Sequence, residues 1–377
     1  MRVVVESPRT PSKSRGCVTY RSLRCNTGHL TKTPELPGFR EGPVSSPIQG
    51  VPVGVIGWQD IEIGPGPDRL SNSMPHPNWS NIAVMGAGAI GCYFGGMLAR
   101  GGAKVTLIAR RKHVEAINTS GLLLQSLDFQ DRVPVTATDD AAAVGNAALI
   151  LFCVKSTDTD DAAQQMAPHV AADAVILSLQ NGVDNTERIQ RHVKNRVIPV
   201  LVYAAAQMSA PGHVQHTGGG YLVMGPSPES GEITALFASA QVPVRISETI
   251  EADLWTKLLL NCAYNAVSAL GAAPYSRMVA MAEIREVMRD VVNEVLQVAR
   301  AKGIGLPENI IEATFKLAEA MPQTISSTAQ DIQNGKRTEI GHLNGFVVRE
   351  AEALGIPAPV NRTLNALIKL REQSRAD

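Results

Sequence analysis

The chain has 377 residues, 44% hydrophobic and 19% charged, with 35 basic side chains against 35 acidic ones. That is enough sequence for about two domains, and it carries no net charge that would draw nucleic acid or an anionic membrane in bulk. The longest apolar runs, 147–154 and 197–206, are about half the ~20 residues a membrane helix needs, so no span is expected.

Residues 1–80 carry eleven of the 23 prolines among Ser, Thr, Gly and Arg, and hold no sustained period outside the short piece 50–58. They are expected to form a disordered extension. The basic start is not followed by the apolar stretch of a secretory signal, and Glu6 and the prolines argue against an amphipathic transit peptide. Met74, seven residues before the first strong strand, is read as the true start. Five scattered cysteines, Cys17, Cys25, Cys92, Cys153 and Cys262, form no CxxC pair or zinc pattern, which fits a reducing cytoplasm and predicts no metal.

From Asn81 short apolar runs alternate with helical periods. Strands are expected at 82–85, 104–108, 148–154 and 174–179, with helices at 88–100, 111–119 and 157–170. That order predicts an α/β, doubly wound parallel sheet of Rossmann type. A strand at 197–206, a glycine turn at 218–220, a late strand at 221–225 and a helix at 232–240 complete a first domain spanning 81–247. Helices at 251–270, 282–302, 309–319, 338–354 and 361–373 make 248–377 an all-helical second domain, with breaks at its Gly and Pro residues. The face of the 282–302 helix leaves a homodimer open.

The first strand runs directly into Gly86-Ala-Gly-Ala-Ile-Gly91, a G-x-G-x-x-G in its required strand–helix context. Gly86 permits the tight turn, Gly88 admits the pyrophosphate, and Gly91 allows helix–strand packing. Ala87, Ala89 and Ile90 complete the loop and first turn, whose free N–H groups face the phosphates. An NAD site normally carries an acidic residue about 20 positions on. Here Ala109-Arg-Arg-Lys112 stands instead, which predicts NADP with Arg110 on the 2′-phosphate. For Arg111 and Lys112 contact and a solvent-facing role remain equally open.

In the largely apolar helix at 251–270, Lys257, Asn261 and Asn265 recur every four residues and so lie on one narrow stripe. A solvated edge and a substrate wall between the domains both satisfy such a stripe. His213 and His216 read as structural or surface residues, Cys262 as a small hydrophobe, and Asp158, Asp160 and Asp161 as charges on a helix's first turn.

Taken together, four motifs in order resemble the ketopantoate reductase (2-dehydropantoate 2-reductase) family over about 81–372: Gly86–Gly91, Gln180-Asn-Gly-Val183, the Lys257/Asn261/Asn265 helix, and Ser326-Ser-Thr-Ala-Gln-Asp-Ile332 followed by Arg337-Thr-Glu339 and Asn344-Gly345. The resemblance implies NADPH-dependent reduction of a 2-oxo acid to pantoate, with Lys257 as proton donor. It implies Asn181 near nicotinamide and substrate, Asn261 and Asn265 on substrate hydroxyl or carboxylate, and Ser327 on the carboxylate. Glu339 and Lys155 match cofactor-contacting residues, and a backbone contact falls on Ala205 or Ala206. Tyr275 stands where the family pattern has a further substrate-binding asparagine, so another branched 2-oxo acid stays open as substrate, as does an NADP sensor without turnover.

Overall fold

The computed structural model describes residues 79–374. The expectations for the extension, Met74 included, therefore fall outside the described residues up to position 78. Trp79, counted in that extension, is buried, and its indole N–H donates to Glu232 at 2.6 Å.

The chain runs β1 (Asn81–Met85), α1 (Ala89–Arg100), β2 (Lys104–Ile108), α2 (Arg111–Ser120), β3 (Leu122–Gln125), β4 (Gln130–Val133), β5 (Thr136–Thr138), β6 (Leu149–Phe152), α3 (Thr159–Met166), β7 (Val175–Ser178), α4 (Asn185–Gln190), β8 (Val197–Ala210), β9 (His213–Met224), α5 (Ser230–Ser239) and β10 (Val244–Ile246). Strand order is β4-β3-β9-β8-β7-β6-β1-β2-β5, with β10 beside β9. From β5 to β8 every pairing is parallel. Those strands are apolar at consecutive positions because both faces are covered. Ile82, Val84 and Leu151 pack with residues of α1 and α5, while Ala83, Ile150 and Phe152 pack with residues of α3 and α4. This is the doubly wound arrangement.

The sheet is nevertheless mixed. β8 and β9 form a long antiparallel hairpin, β3 and β4 a short one. The glycines at 218–220 are not a turn but lie inside β9, and the chain reverses at 211–212 instead. Their role is close approach: a Cβ on Gly219 would sit 2.3 Å from the Tyr203 carbonyl oxygen, and one on Gly220 2.6 Å from the Tyr93 hydroxyl.

The second half is largely helical: α6 (Ile250–Gly271), α7 (Tyr275–Ala280), α8 (Ala282–Ala301), α9 (Ile310–Ala320), α10 (Ser327–Gln333), α11 (Asn344–Leu354) and α12 (Pro359–Gln373). α6 is its axis, burying Trp255, Leu258, Leu259, Cys262 and Tyr264 against α8, α10 and α12. Among the described residues no helix is long and apolar enough to cross a membrane. The helix expected at 338–354 is broken: 340–342 is a 3-10 turn and α11 starts at Asn344. Asn344 is buried there, its Nδ2 donating to the Cys262 carbonyl (3.1 Å) and to Asn361 Oδ1 (2.9 Å), so this part of the family motif holds the helical core together.

Buried Glu294 on α8 caps α12 from the side. Its carboxylate accepts from the N–H groups of Val360 (2.8 Å) and Asn361 (2.9 Å) and from Asn361 Nδ2 (2.8 Å). Replacing Glu294 by Ala leaves those donors without an acceptor, and denaturant unfolding is expected to show a loss on the order of 3 kcal/mol. A loss below ~1 kcal/mol would contradict this capping role.

Candidate active site

The glycine loop fits a dinucleotide at each of its three positions. Gly86 has φ +91°, and a Cβ there would lie 2.6 Å from the Val154 nitrogen. At Gly91 a Cβ would lie 2.7 Å from the Gly86 oxygen and 2.8 Å from Val84. Gly88 differs, since a Cβ there would meet nothing within 4 Å. Open space over the backbone position that caps α1 is what a pyrophosphate needs, because the first N–H groups of a helix have no partner within it and are free for phosphate oxygens.

Beyond the loop, Gly86 and Ala87 both donate their N–H to the Ile108 carbonyl, which sets the end of β2 beside them. Arg110 follows as an exposed residue at the start of α2, without an ion pair among the described residues. Arg111, by contrast, is paired with Glu115 at 3.0 Å.

The other half of the site comes from α6. Lys257 is half-buried, and its ammonium donates to the Val202 carbonyl on β8 at 2.7 Å. It lies 5.5 Å from the centre of the Tyr203 ring, which stacks on Tyr221. Burial of this ammonium end pulls its pKa down to about 8, and the Glu339 carboxylate opposes that shift. Half-buried Asn261 and buried Asn265 continue the stripe, and their amide groups make no hydrogen bond among the described residues. The Asn265 carbonyl accepts from Ser326 Oγ at 3.1 Å, which brings the start of α10 to the same wall. Ser326 is itself the N-cap of α10, while Ser327 beside it is exposed.

Glu339 joins the two halves. One carboxylate oxygen accepts from the Ser156 N–H (2.8 Å), the other from Asn181 Nδ2 (3.2 Å). Lys155 reaches across as well, donating to the Arg337 carbonyl (2.7 Å) and pairing with Asp331 (2.8 Å). Burial raises the Asp331 carboxyl above its usual range, partly offset by Lys155.

The structure thus gathers Lys257, Glu339, Asn181 and Lys155 at one seam, and bonds the Asn265 carbonyl to Ser326, the residue before Ser327. It leaves Tyr275 apart: this side chain is buried in the helical core, its ring 4.3 Å from that of Tyr264, and burial pushes its hydroxyl up to about 12. Ala206 is half-buried on β8 opposite His216, at a register irregularity that starts from Ala205. His213 and His216 lie on β9, bonded to Gln125 (2.9 Å) and Ser126 (2.8 Å) respectively. The Cys262 thiol is buried and shifted upward by that burial, which suits packing. Ser156, Tyr203, Arg188 and His342 were missed. Ser156 reaches Glu339 through its backbone N–H and the Asn181 carbonyl through its Oγ, and Tyr203 sits in a strand, where spacing signals nothing about a lysine 54 positions on.

Fold and site together define a dinucleotide-binding oxidoreductase with a helical second half. The model described as "Ketopantoate reductase PanE/ApbA" matches residues 82–229, and its C-terminal counterpart matches 249–372. A 2-dehydropantoate 2-reductase of Pyrococcus horikoshii is 32% identical over 297 residues, covering 77% of this chain and 97% of that protein. The crystal structure of a ketopantoate reductase from Ralstonia eutropha is 50% identical at a TM-score of 0.77, covering 79% of this chain and all of the other. A D-mandelate dehydrogenase solved with NADH and anilino(oxo)acetate shares the fold at a TM-score of 0.72, with 23% identity over 78% of this chain and 99% of its own. The chain belongs to the ketopantoate reductase family.

Proposed function

We propose that this protein reduces 2-dehydropantoate to (R)-pantoate with NADPH, in the cytoplasm, as a step toward pantothenate and coenzyme A. The observation that carries the reading is Lys257: a half-buried ammonium with its pKa drawn to about 8, set on a helix that faces the glycine-loop half of the molecule. When bound, the cofactor supplies the hydride. The residues that would hold it are Gly86 to Gly91, Arg110, Lys155, Asn181, Ala206 and Glu339. As the ketone is reduced, negative charge grows on its oxygen; Lys257 stabilises that charge and gives the proton. Asn261 and Asn265 offer amide donors and acceptors to hydroxyl and carboxylate groups, and Ser327 offers a further donor to the carboxylate.

The test is NADPH oxidation with 2-dehydropantoate beside other branched 2-oxo acids. Fastest turnover with 2-dehydropantoate is expected, and preference for another 2-oxo acid would move the substrate assignment. NADPH binding without turnover on any of them would favour a sensor. Arg110→Ala is expected to raise KM for NADPH by about 10–100-fold, the worth of a charge-assisted phosphate contact, and to leave KM for NADH unchanged. Equal effects on both cofactors would remove Arg110 from the 2′-phosphate.

A further inference from the structure

We propose that Arg188 is a positioning residue for this reaction, fastening the Asn181–Glu339 seam to the helical half through His342; the proposal rests on the reductase reading above. Arg188 stands on α4, one turn after Asn181-Gly-Val183, with its side chain only 9% exposed. A guanidinium so enclosed must spend its five donors on protein acceptors. Nε and Nη2 both donate to Asp160 Oδ2, at 2.9 and 2.6 Å. Nη1 donates to the Ser156 carbonyl at 2.8 Å and to Asn185 Oδ1 at 3.3 Å, and lies 3.1 Å from His342 Nδ1.

The three partners of Nη1 are each one bond from the seam, while Asp160 anchors the other edge of the guanidinium to α3. Ser156 gives its N–H to Glu339 and its Oγ to the Asn181 carbonyl (2.6 Å), while Asn185 Nδ2 donates to the same carbonyl at 2.7 Å. His342 follows Glu339 by three residues on the 3-10 turn. One guanidinium therefore ties α3, α4 and the segment after β6 to the segment of the helical half that carries Glu339. Moving it shifts Asn181 and Glu339 relative to Lys257.

The His342 contact also fixes a protonation state. Arginine has no acceptor, so His342 Nδ1 must present its lone pair and the imidazole must be neutral, with its hydrogen on Nε2. The charged groups around His342 are Arg188, Asp184, Arg349 and Glu339. Burial, followed by Arg188, holds its pKa below the ordinary imidazole range. A proton on Nδ1 would remove the acceptor and set a second cation against Arg188. The joint is thus complete at neutral pH and is lost as pH falls through the His342 transition.

The experiment compares Arg188→Met, Arg188→Lys, His342→Gln and His342→Ala in the full chain, by kcat, KM for NADPH, NADPH affinity and the pH–rate profile, with circular dichroism as the control for folding. Arg188→Met is expected to lower kcat/KM by about 100-fold, as a small misplacement of catalytic groups does, and to abolish the acid-side limb. Arg188→Lys should recover only part, because an ammonium cannot reproduce the fork. His342→Gln keeps an acceptor without titrating, so it should hold wild-type kcat while flattening the acid limb; His342→Ala should lose kcat. A folded Arg188→Met with wild-type kcat and pH profile would overturn the proposal. If Arg188→Met does not fold, the His342 pair decides: equal kcat in Gln and Ala with an unchanged acid limb overturns it. Absence of turnover in the wild type would instead count against the reductase reading, and the joint would then be judged by NADPH affinity alone, unchanged affinity in every variant overturning it.

Discussion

Replacing Lys257 by methionine is expected to lower kcat by about 10³-fold while NADPH affinity stays at the wild-type value. Methionine keeps most of the length and apolar contact of the lysine stem, so the wall formed by α6 stays in place. What is lost is the cation at the oxygen where charge develops, together with the proton that oxygen must receive. The Val202 carbonyl, which accepts from Lys257 at 2.7 Å, loses its partner, but a half-buried charge no longer has to be desolvated. Those two changes oppose each other, so the variant should melt close to wild type.

The pH dependence gives the same residue a second signature. A donor must be protonated, and burial has drawn Lys257 to about 8. On account of Lys257 the rate should therefore fall tenfold per unit above about pH 8, while below it the lysine stays charged and leaves any acid-side limb to His342. Glu339 supports the charged form. Glu339→Gln should therefore move this limb to lower pH. A Lys257→Met enzyme with near-normal kcat, or a Glu339→Gln enzyme with an unmoved limb, would separate these residues from proton donation and its tuning.

What could be read from the chain alone followed from how local each signal is. The glycine loop and the parallel strands were legible because strand, turn and helix lie within a few residues of one another, and buried parallel strands read as unbroken apolar runs. β4, with only Val133 buried in Gln-Asp-Arg-Val, carries no such run and went unseen. The glycines at 218–220 misled because glycine marks both turns and close approach, and only the position of Tyr93 and of the Tyr203 carbonyl separates the two. At the site, the α6 stripe was visible from periodicity. The seam was not: Ser156 meets Glu339, and Arg188 meets His342, across 154 or more positions, and no motif in the sequence marks Ser156, Arg188 or His342. The burial of Arg188 is a product of the fold that surrounds α4.

Gly88→Val is expected to raise the Kd for NADPH by more than ~10²-fold with little change in melting temperature, whereas valine at Gly86 or Gly91 should cost the fold first. The distinction follows from what each side chain would strike. Gly88 has φ −79°, which an L-residue adopts freely, and its Cβ would meet no protein atom within 4 Å. The added methyls therefore project into the space over the first turn of α1, where phosphates would meet the free N–H groups. At Gly86 the φ of +91° and the Val154 backbone at 2.6 Å both oppose a side chain, and at Gly91 the Gly86 carbonyl at 2.7 Å does so. Fluorescence titration of NADPH and a thermal melt on the three variants read the two quantities separately. Normal NADPH affinity in a folded Gly88→Val protein would mean that the pyrophosphate does not rest on this loop, and the cofactor assignment would fall with it. Lost affinity at an unchanged melting temperature would tie the open space at Gly88 to the ligand, because no packing change is available to explain it.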